Sequence, residues 1–243
     1  MITRLVFGLL FCFFSIEAIS AETKQLEYEG FTVWVDCSKR AAVLFNYVAS
    51  RDTGKLDRKS SFTFDPNPEV TDCQQFSTDS YQSALTRAGT SFDLGHQVPA
   101  NHFDHSRIAI AQSNYMTNIL PQTLSMNRGA WRATEDIIEC LRDVTDLDVW
   151  GAPIWGSDRK NDYFVESHGV QTPDHFWKVI IRHDTGAGMG WIIPNGTAPY
   201  SSLDKWIRTL RQIENASGQV FSARNKTRKP AKSWAKPKKC SIQ

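Results

Sequence analysis

The chain has 243 residues, with 28 basic and 26 acidic side chains and a formal net charge of +2. At 41% hydrophobic and 22% charged residues it has an ordinary globular composition, which excludes a wholly disordered chain and a multi-span membrane protein. The length suffices for one large domain or two small ones with a real core.

Residues 1–21 read as a signal peptide. Arg4 supplies the positive start, and Leu5–Ile16 is an apolar run well short of the ~20 residues that a spanning helix needs. Ala18, Ser20 and Ala21 suit cleavage near residue 20 or 21. The expectation is a secreted or periplasmic protein without stable membrane association. Cys37, Cys73, Cys140 and Cys240 then form an even set in an oxidising compartment, and no two have the C-x-x-C spacing of a zinc site. Two disulfides are expected. Three pairings are open; Cys37–Cys73 with Cys140–Cys240 is favoured because the second bond would tie down a basic tail.

Phe31–Val35 and Ala41–Val48 read as strands, being rich in β-branched, aromatic and apolar residues. Residues 51–92 are polar and irregular, with a turn at Asp65-Pro66-Asn67-Pro68. Ser113–Leu120 leads to a predicted loop at Pro121. A helix is predicted from Asn127 to Arg142, because Ala130, Ala133, Ile137, Ile138 and Leu141 recur at helical spacing. Strands follow at Asp148–Ile154, Phe176–Arg182 and Gly190–Ile193. The last predicted helix starts at Ser201 or Ser202, carries the stripe Leu203, Trp206, Ile207, Leu210 and Ile213, and stops at Gly218. Strands and helices without regular βαβ alternation give an α+β fold.

The domain proper spans residues 22–223, and 224–243 form a basic tail. Residues 224–240 hold eight of the 28 basic residues and no acid; the other twenty face 26 acidic ones, a net −6. A basic tail on an acidic body suits a polyanionic partner as well as it suits a merely solubilising role. Trp234 in the tail is the tryptophan best placed to stack on a base, whereas Trp206 fits a core stripe.

Residues 92–135 carry the chemistry. His96 follows a glycine, Asn118 lies near a turn, Asn127 lies at a helix start, and Glu135 falls eight residues later, two turns along the same helix face. These groups suit phosphodiester hydrolysis. A neutral histidine can take a proton from water near pH 7. An amide oxygen plus waters can hold Mg²⁺, which prefers oxygen ligands and keeps much of its hydration. Glu135 could orient one of those waters. Taken singly, a structural or merely surface histidine, a helix-capping asparagine and a solvated glutamate are the simpler explanations.

Taken together, the segment resembles the DNA/RNA non-specific endonuclease family, the ββα-metal nucleases that include endonuclease G. The family's D-R-G-H tetrad stands here as Asp93-Leu94-Gly95-His96. Its N-x-x-P-Q run is Asn118-Ile119-Leu120-Pro121-Gln122, and its N-x-x-A-W run with a following glutamate is Asn127-Arg128-Gly129-Ala130-Trp131 with Glu135. Ala100-Asn101-His102, Gly151-Ala152-Pro153-Ile154, Pro173–Val179, Ile192–Asn195 and Ile213–Gly218 extend the likeness over roughly residues 30–222.

The resemblance implies a central antiparallel sheet flanked by helices, with a ββα-metal finger at the active site. It implies His96 as general base, Asn127 as the direct protein ligand of Mg²⁺ (with Mn²⁺ as a substitute), and Glu135 as holder of a metal-bound water. Asn118 and Asp93 would support the site, and Arg58 would contact a substrate phosphate. DNA and RNA would be the substrates and 5′-phosphates the products. A homodimer is compatible with this reading, and nothing in it identifies an inhibitor protein.

Two departures stand out. Leu94 replaces the tetrad arginine, and Glu139 stands where the family often has arginine four residues after the site glutamate. A carboxylate there would repel phosphate unless it points away, and Arg128, Arg132 or Arg142 would have to compensate. The H-x₅-H-x₂-H spacing of His96, His102 and His105 fits no zinc signature. Two rival readings remain: a nuclease-like protein that binds nucleic acid without efficient cleavage, and a metallophosphodiesterase acting on small molecules.

Overall fold

The structure is a computed structural model that describes residues 23–58, 61–81, 89–157, 159–238 and 240. Residues 1–21, read above as a signal peptide, lie outside the described residues. Among the described residues there are nine strands: β1 (Thr23–Tyr28), β2 (Phe31–Asp36), β3 (Ala41–Ala49), β4 (Phe92–His96), β5 (Ile119–Thr123), β6 (Leu147–Ile154), β7 (His175–Arg182), β8 (Gly188–Pro194) and β9 (Ile207–Arg208). The three longest α-helices are α1 (Arg107–Ser113), α2 (Arg132–Leu141) and α3 (Leu210–Ser217). No helix among the described residues is long and apolar enough to cross a membrane.

Seven strands form one sheet in the order β1-β2-β3-β6-β7-β8-β9, with every neighbouring pair antiparallel. The five internal strands read from the sequence are recovered with ends shifted by up to two residues, and β1 adds an edge that its mixed composition did not announce. β2 alternates buried Phe31, Val33 and Val35 with partly exposed Thr32, Trp34 and Asp36, as a strand covered on one face should. β7 is different: Phe176 through Ile181 are all buried, because this central strand is covered on both faces. Phe176 and Ile180 belong to the main core; Trp177, Val179 and Ile181 belong to a second cluster with Leu210, Ile213 and Phe221.

β4 and β5 form a separate two-stranded ribbon. With the helical segment that follows β5 they make a ββα unit. Pro121 lies inside this ribbon, paired with Leu94, rather than in the predicted loop. A two-stranded ribbon leaves each strand one unpaired edge, so a proline without an N–H breaks no ladder there. One side chain ties the ribbon to the large sheet. The Asn195 amide donates to Pro121 O (2.9 Å) and Pro173 O (2.9 Å) and accepts from Thr123 N (2.8 Å).

The predicted helix at 127–142 is present, but it begins earlier and is not straight. A first turn at Leu124–Met126 is capped by Thr123, a wide turn covers Asn127–Trp131, and α2 follows. The kink is at Gly129 (φ −107°, ψ −111°). A Cβ on Gly129 would lie 2.4 Å from Ala198 O, and that carbonyl accepts from Ala130 N at 2.9 Å.

The single helix predicted from Ser201 or Ser202 to a stop at Gly218 is corrected, although Gly218 does end the last helix. Tyr200–Trp206 is a 3₁₀ segment, Ile207 and Arg208 pair with Trp191 and Gly190, and α3 starts afresh with Thr209 and Gln212 forming a capping box. The apolar stripe is divided between two cores. Leu203 and Ile207 enter the main one, Leu210 and Ile213 the second on the other side of the sheet. The chain therefore turns round the sheet edge between them, which a straight helix cannot do. Trp206 packs against the main core, as the stripe suggested.

The disulfides are Cys37–Cys73 and Cys140–Cys240, the favoured pairing.

Candidate active site

β4 delivers its last residue, His96, to the end of the ribbon. Gly95 is required just before it: a Cβ there would lie 2.3 Å from the Gln122 side chain, which reaches across to donate to His96 O (3.4 Å). Trp131 Nε1 donates to the same carbonyl at 3.1 Å. Asn118 fixes the chain beyond. Its oxygen accepts from Val98 N (3.0 Å), and its NH₂ donates to Val98 O (2.9 Å) and Ser113 O (2.7 Å). This buried amide joins the segment after His96 to the C-terminal end of α1.

The next residue after α1, Asn114, holds the imidazole. Its NH₂ donates to Ile110 O (2.6 Å), so its oxygen faces His96 Nε2 at 3.0 Å. Nε2 therefore carries the proton and Nδ1 keeps its lone pair. Burial lowers the His96 pKa below 6.5, with the Asn114 hydrogen bond opposing that shift. The ring is accordingly neutral at pH 7.

Asp93 binds the start of the kinked helix. It accepts from Asn127 Nδ2 (2.9 Å) and, through both oxygens, from Arg128 Nε (2.9 Å) and Nη2 (2.7 Å). With its NH₂ engaged by Asp93, the donor that Asn127 retains for a cation is its amide oxygen. Glu135 stands two turns on. Its carboxylate lies 3.7 Å from Lys178 Nζ, a fully buried cation on the core side of β7 that also sits 3.6 Å from the centre of the Trp131 ring. Burial raises the Glu135 pKa, opposed by Lys178, and lowers that of Lys178 to about 8.

Arg58, His96, Asn101, Asn114, Asn127 and Glu135 all line one cleft of about 260 Å³. Four of them, Arg58, Asn101, Asn127 and Glu135, also line an adjoining groove of about 300 Å³ with Arg128 and Arg132. Four residues singled out in the sequence, from three separate segments, thus meet in one place; Asp93 and Asn118 stand behind it as supports. No group of three or more His, Cys, Asp or Glu side chains among the described residues forms a metal cage. The donors present, one amide oxygen with a carboxylate two turns away, fit a hard cation that keeps most of its water.

The two departures have distinct structural outcomes. Leu94 packs against the main core and leaves no cation in its place. Glu139 is buried and turned onto Arg142 (2.8 Å), which also meets Asp52 (3.4 Å) and donates to His102 O (2.9 Å). Its charge is compensated before it can face a phosphate. His102 has both ring nitrogens occupied, Nδ1 by Tyr47 OH (2.7 Å) and Nε2 by Glu135 O (3.3 Å), so it buttresses the helix from behind. Trp234 is partly buried against the main core, with only part of its ring available to a base.

The sequence reading gave no site role to Asn114 or Lys178. Lys178 had a signal: a lone lysine inside an otherwise apolar strand must find a partner when buried. Asn114 had none, because its role depends on how α1 meets β4.

A model of the DNA/RNA non-specific endonuclease family matches residues 15–229. The chain belongs to that family. It is 27% identical to mouse (Mus musculus) mitochondrial nuclease EXOG over 224 residues, covering 84% of this chain and 58% of the relative. It is 32% identical to nuclease C1 of Cunninghamella echinulata var. echinulata over 146 residues, covering 55% of this chain and 58% of that one. Human mitochondrial endonuclease G is 26% identical over 145 residues, covering 55% of this chain and 49% of that one. The chain spans little more than half the length of the curated relatives it matches. The fold is shared with a chain in the crystal structure of the EndoG/EndoGI complex, with a TM-score of 0.59 and 18% identity over 81% of this chain and 84% of that chain.

Proposed function

We propose that this protein is an exported, Mg²⁺-dependent endonuclease that hydrolyses phosphodiester bonds of DNA and RNA without strong sequence preference, leaving 5′-phosphates. The observation that carries the reading is the meeting of His96, Asn127, Glu135 and Arg58 in one cleft. His96 Nδ1 takes a proton from the attacking water. The Asn114 oxygen holds the ring by Nε2–H and favours this tautomer. Asn127 offers its amide oxygen to the cation, with Asp93 fixing the amide's orientation. Glu135, held by Lys178, would accept hydrogen bonds from water bound to the cation. Arg58 meets the phosphate. Bound there, Mg²⁺ would supply positive charge to the phosphate and the departing 3′ oxygen. Mn²⁺ would substitute for it.

Export is supported by the signal-like residues 1–21 and by two disulfides, which persist in oxidising compartments. The decisive experiment is digestion of plasmid DNA and of RNA with Mg²⁺, with EDTA, and by His96→Ala and Asn127→Ala. Cleavage of both polymers should require the metal, and His96→Ala should lower it by ~10²–10⁴-fold. Full cleavage by His96→Ala would overturn the mechanism. One observation favours a second reading, a nucleic-acid-binding protein with little catalysis: Leu94 removes a cation from the tetrad. Tight binding with no metal-dependent cleavage by the wild-type chain would select it.

A further inference from the structure

Beyond α3 the basic segment is fastened across the body of the molecule. Lys226 Nζ pairs with Glu214 (2.7 Å). Ser233 accepts from Trp191 Nε1 (3.2 Å), and its N–H donates to Asp204 (2.8 Å). Cys240 is bonded to Cys140 on α2, the helix whose first turn carries Glu135. Between these fastenings Arg228, Lys229, Lys232, Lys236 and Lys238 are exposed. The sequence from 224 to 240 contains no acid, and the neighbouring Asp204 already accepts the Ser233 N–H.

This strap reaches the groove beside the candidate active site. Lys236 Nζ donates to Tyr200 OH (3.1 Å), and Tyr200 OH donates to Asp136 (2.7 Å). Asp136 lines the groove with Arg128 and Arg132. A set of exposed cations thus begins two hydrogen bonds from the groove wall, and the strap meets the flank of α2 at Asp136, through Tyr200, and again at Cys140. A polyanion longer than the cleft, leaving it past that flank, would meet exposed positive charge with no acid in the strap to oppose it.

We propose that the strap is a rim that binds the phosphodiester backbone of a long polynucleotide outside the bond being cut, and that the Cys140–Cys240 disulfide keeps it in register with the cleft. The inference rests on the nuclease reading and names the part of the chain that sets its preference for polymers. A cation held at a fixed place neutralises a phosphate without first being ordered; the same lysines on a released tail would have to be immobilised at each binding event.

The test uses the full chain with His96→Ala as the non-cleaving parent. Affinity is measured across a salt series for a long duplex and for one too short to leave the cleft. Replacing Lys232, Lys236 and Lys238 with Gln together should reduce the slope of log Kd against log salt by about 2–3 for the long duplex, since each lost phosphate contact removes about 0.9. The short duplex should change much less. Cys140→Ser with Cys240→Ser should weaken the long duplex several-fold. If that variant fails to fold, the lysine variant decides alone. An unchanged salt slope in the lysine variant overturns the rim while leaving nuclease activity of the wild-type chain standing. No binding of either duplex by the parent overturns both readings.

Discussion

The Asn114 amide oxygen lies 3.0 Å from Nε2 of His96, and its own NH₂ is anchored 2.6 Å from Ile110 O. The imidazole is therefore oriented by a neutral group, not by the carboxylate that often plays this part. Asn114→Ala should lower kcat by roughly 10–100-fold, as loss of an orienting partner does, with a smaller change in KM. The wild-type hydrogen bond raises the His96 pKa, so its loss should also move the acidic limb of the pH–rate profile downward. Asn114→Asp should move that limb upward, because a carboxylate favours the imidazolium. A profile that moves the same way in both variants would refute the arrangement.

For the wild-type protein the sign is fixed by burial. Only neutral His96 can act as a base, and its pKa is held below 6.5. Activity should therefore change little between pH 8 and pH 7 on account of this group, and should fall only as pH drops through a value under 6.5. Measurement of kcat/KM in Mg²⁺ against pH checks this; an acidic limb centred above 6.5 would contradict it.

Lys178 and Glu135 form a pair 3.7 Å apart in which neither charge is fully accessible to solvent. Lys178→Met keeps the side-chain length and removes the cation. Glu135 then loses its main opposing charge and should become harder to ionise. We expect activity to fall by about 10–100-fold at neutral pH and to recover partly as pH rises, which wild type should not do. Equal loss at all pH values would mean that the lysine acts through packing alone.

Gly129 meets the carbonyl of Ala198 where any side chain would sit. Gly129→Ala should cost ~1–3 kcal/mol and displace Asn127 two residues away. Thermal unfolding and metal titration read the two effects separately. Normal stability with normal metal affinity would show that the approach of the two segments is dispensable.

Most of the sheet was legible because its strands bury apolar residues in recognisable runs, and most of the candidate site was legible because the motifs of 92–135 resemble the family's in order and spacing. What escaped depended on contacts across the chain. The stripe Leu203–Ile213 has good helical periodicity, yet it serves two cores on opposite sides of one sheet, and periodicity carries no record of which core a residue enters. Pro121 suggested a loop because proline opposes strands in general, but a ribbon of two strands spares it that conflict. Glu139 looked hostile to phosphate until Arg142, buried one turn away, was seen to claim it.

Asn195 joins two other stretches of chain, β5 and the segment before β7, with one amide. Since β4 and β5 share no ladder with the seven-stranded sheet, the angle at which the histidine enters the cleft is set largely by side chains, and each strand's own ladder is indifferent to it. Such a joint can work loose while both sheets stay whole. A protein weakened at residue 195 could keep both sheets and still hold the His96 ring at the wrong angle, a loss that its content of sheet would not reveal.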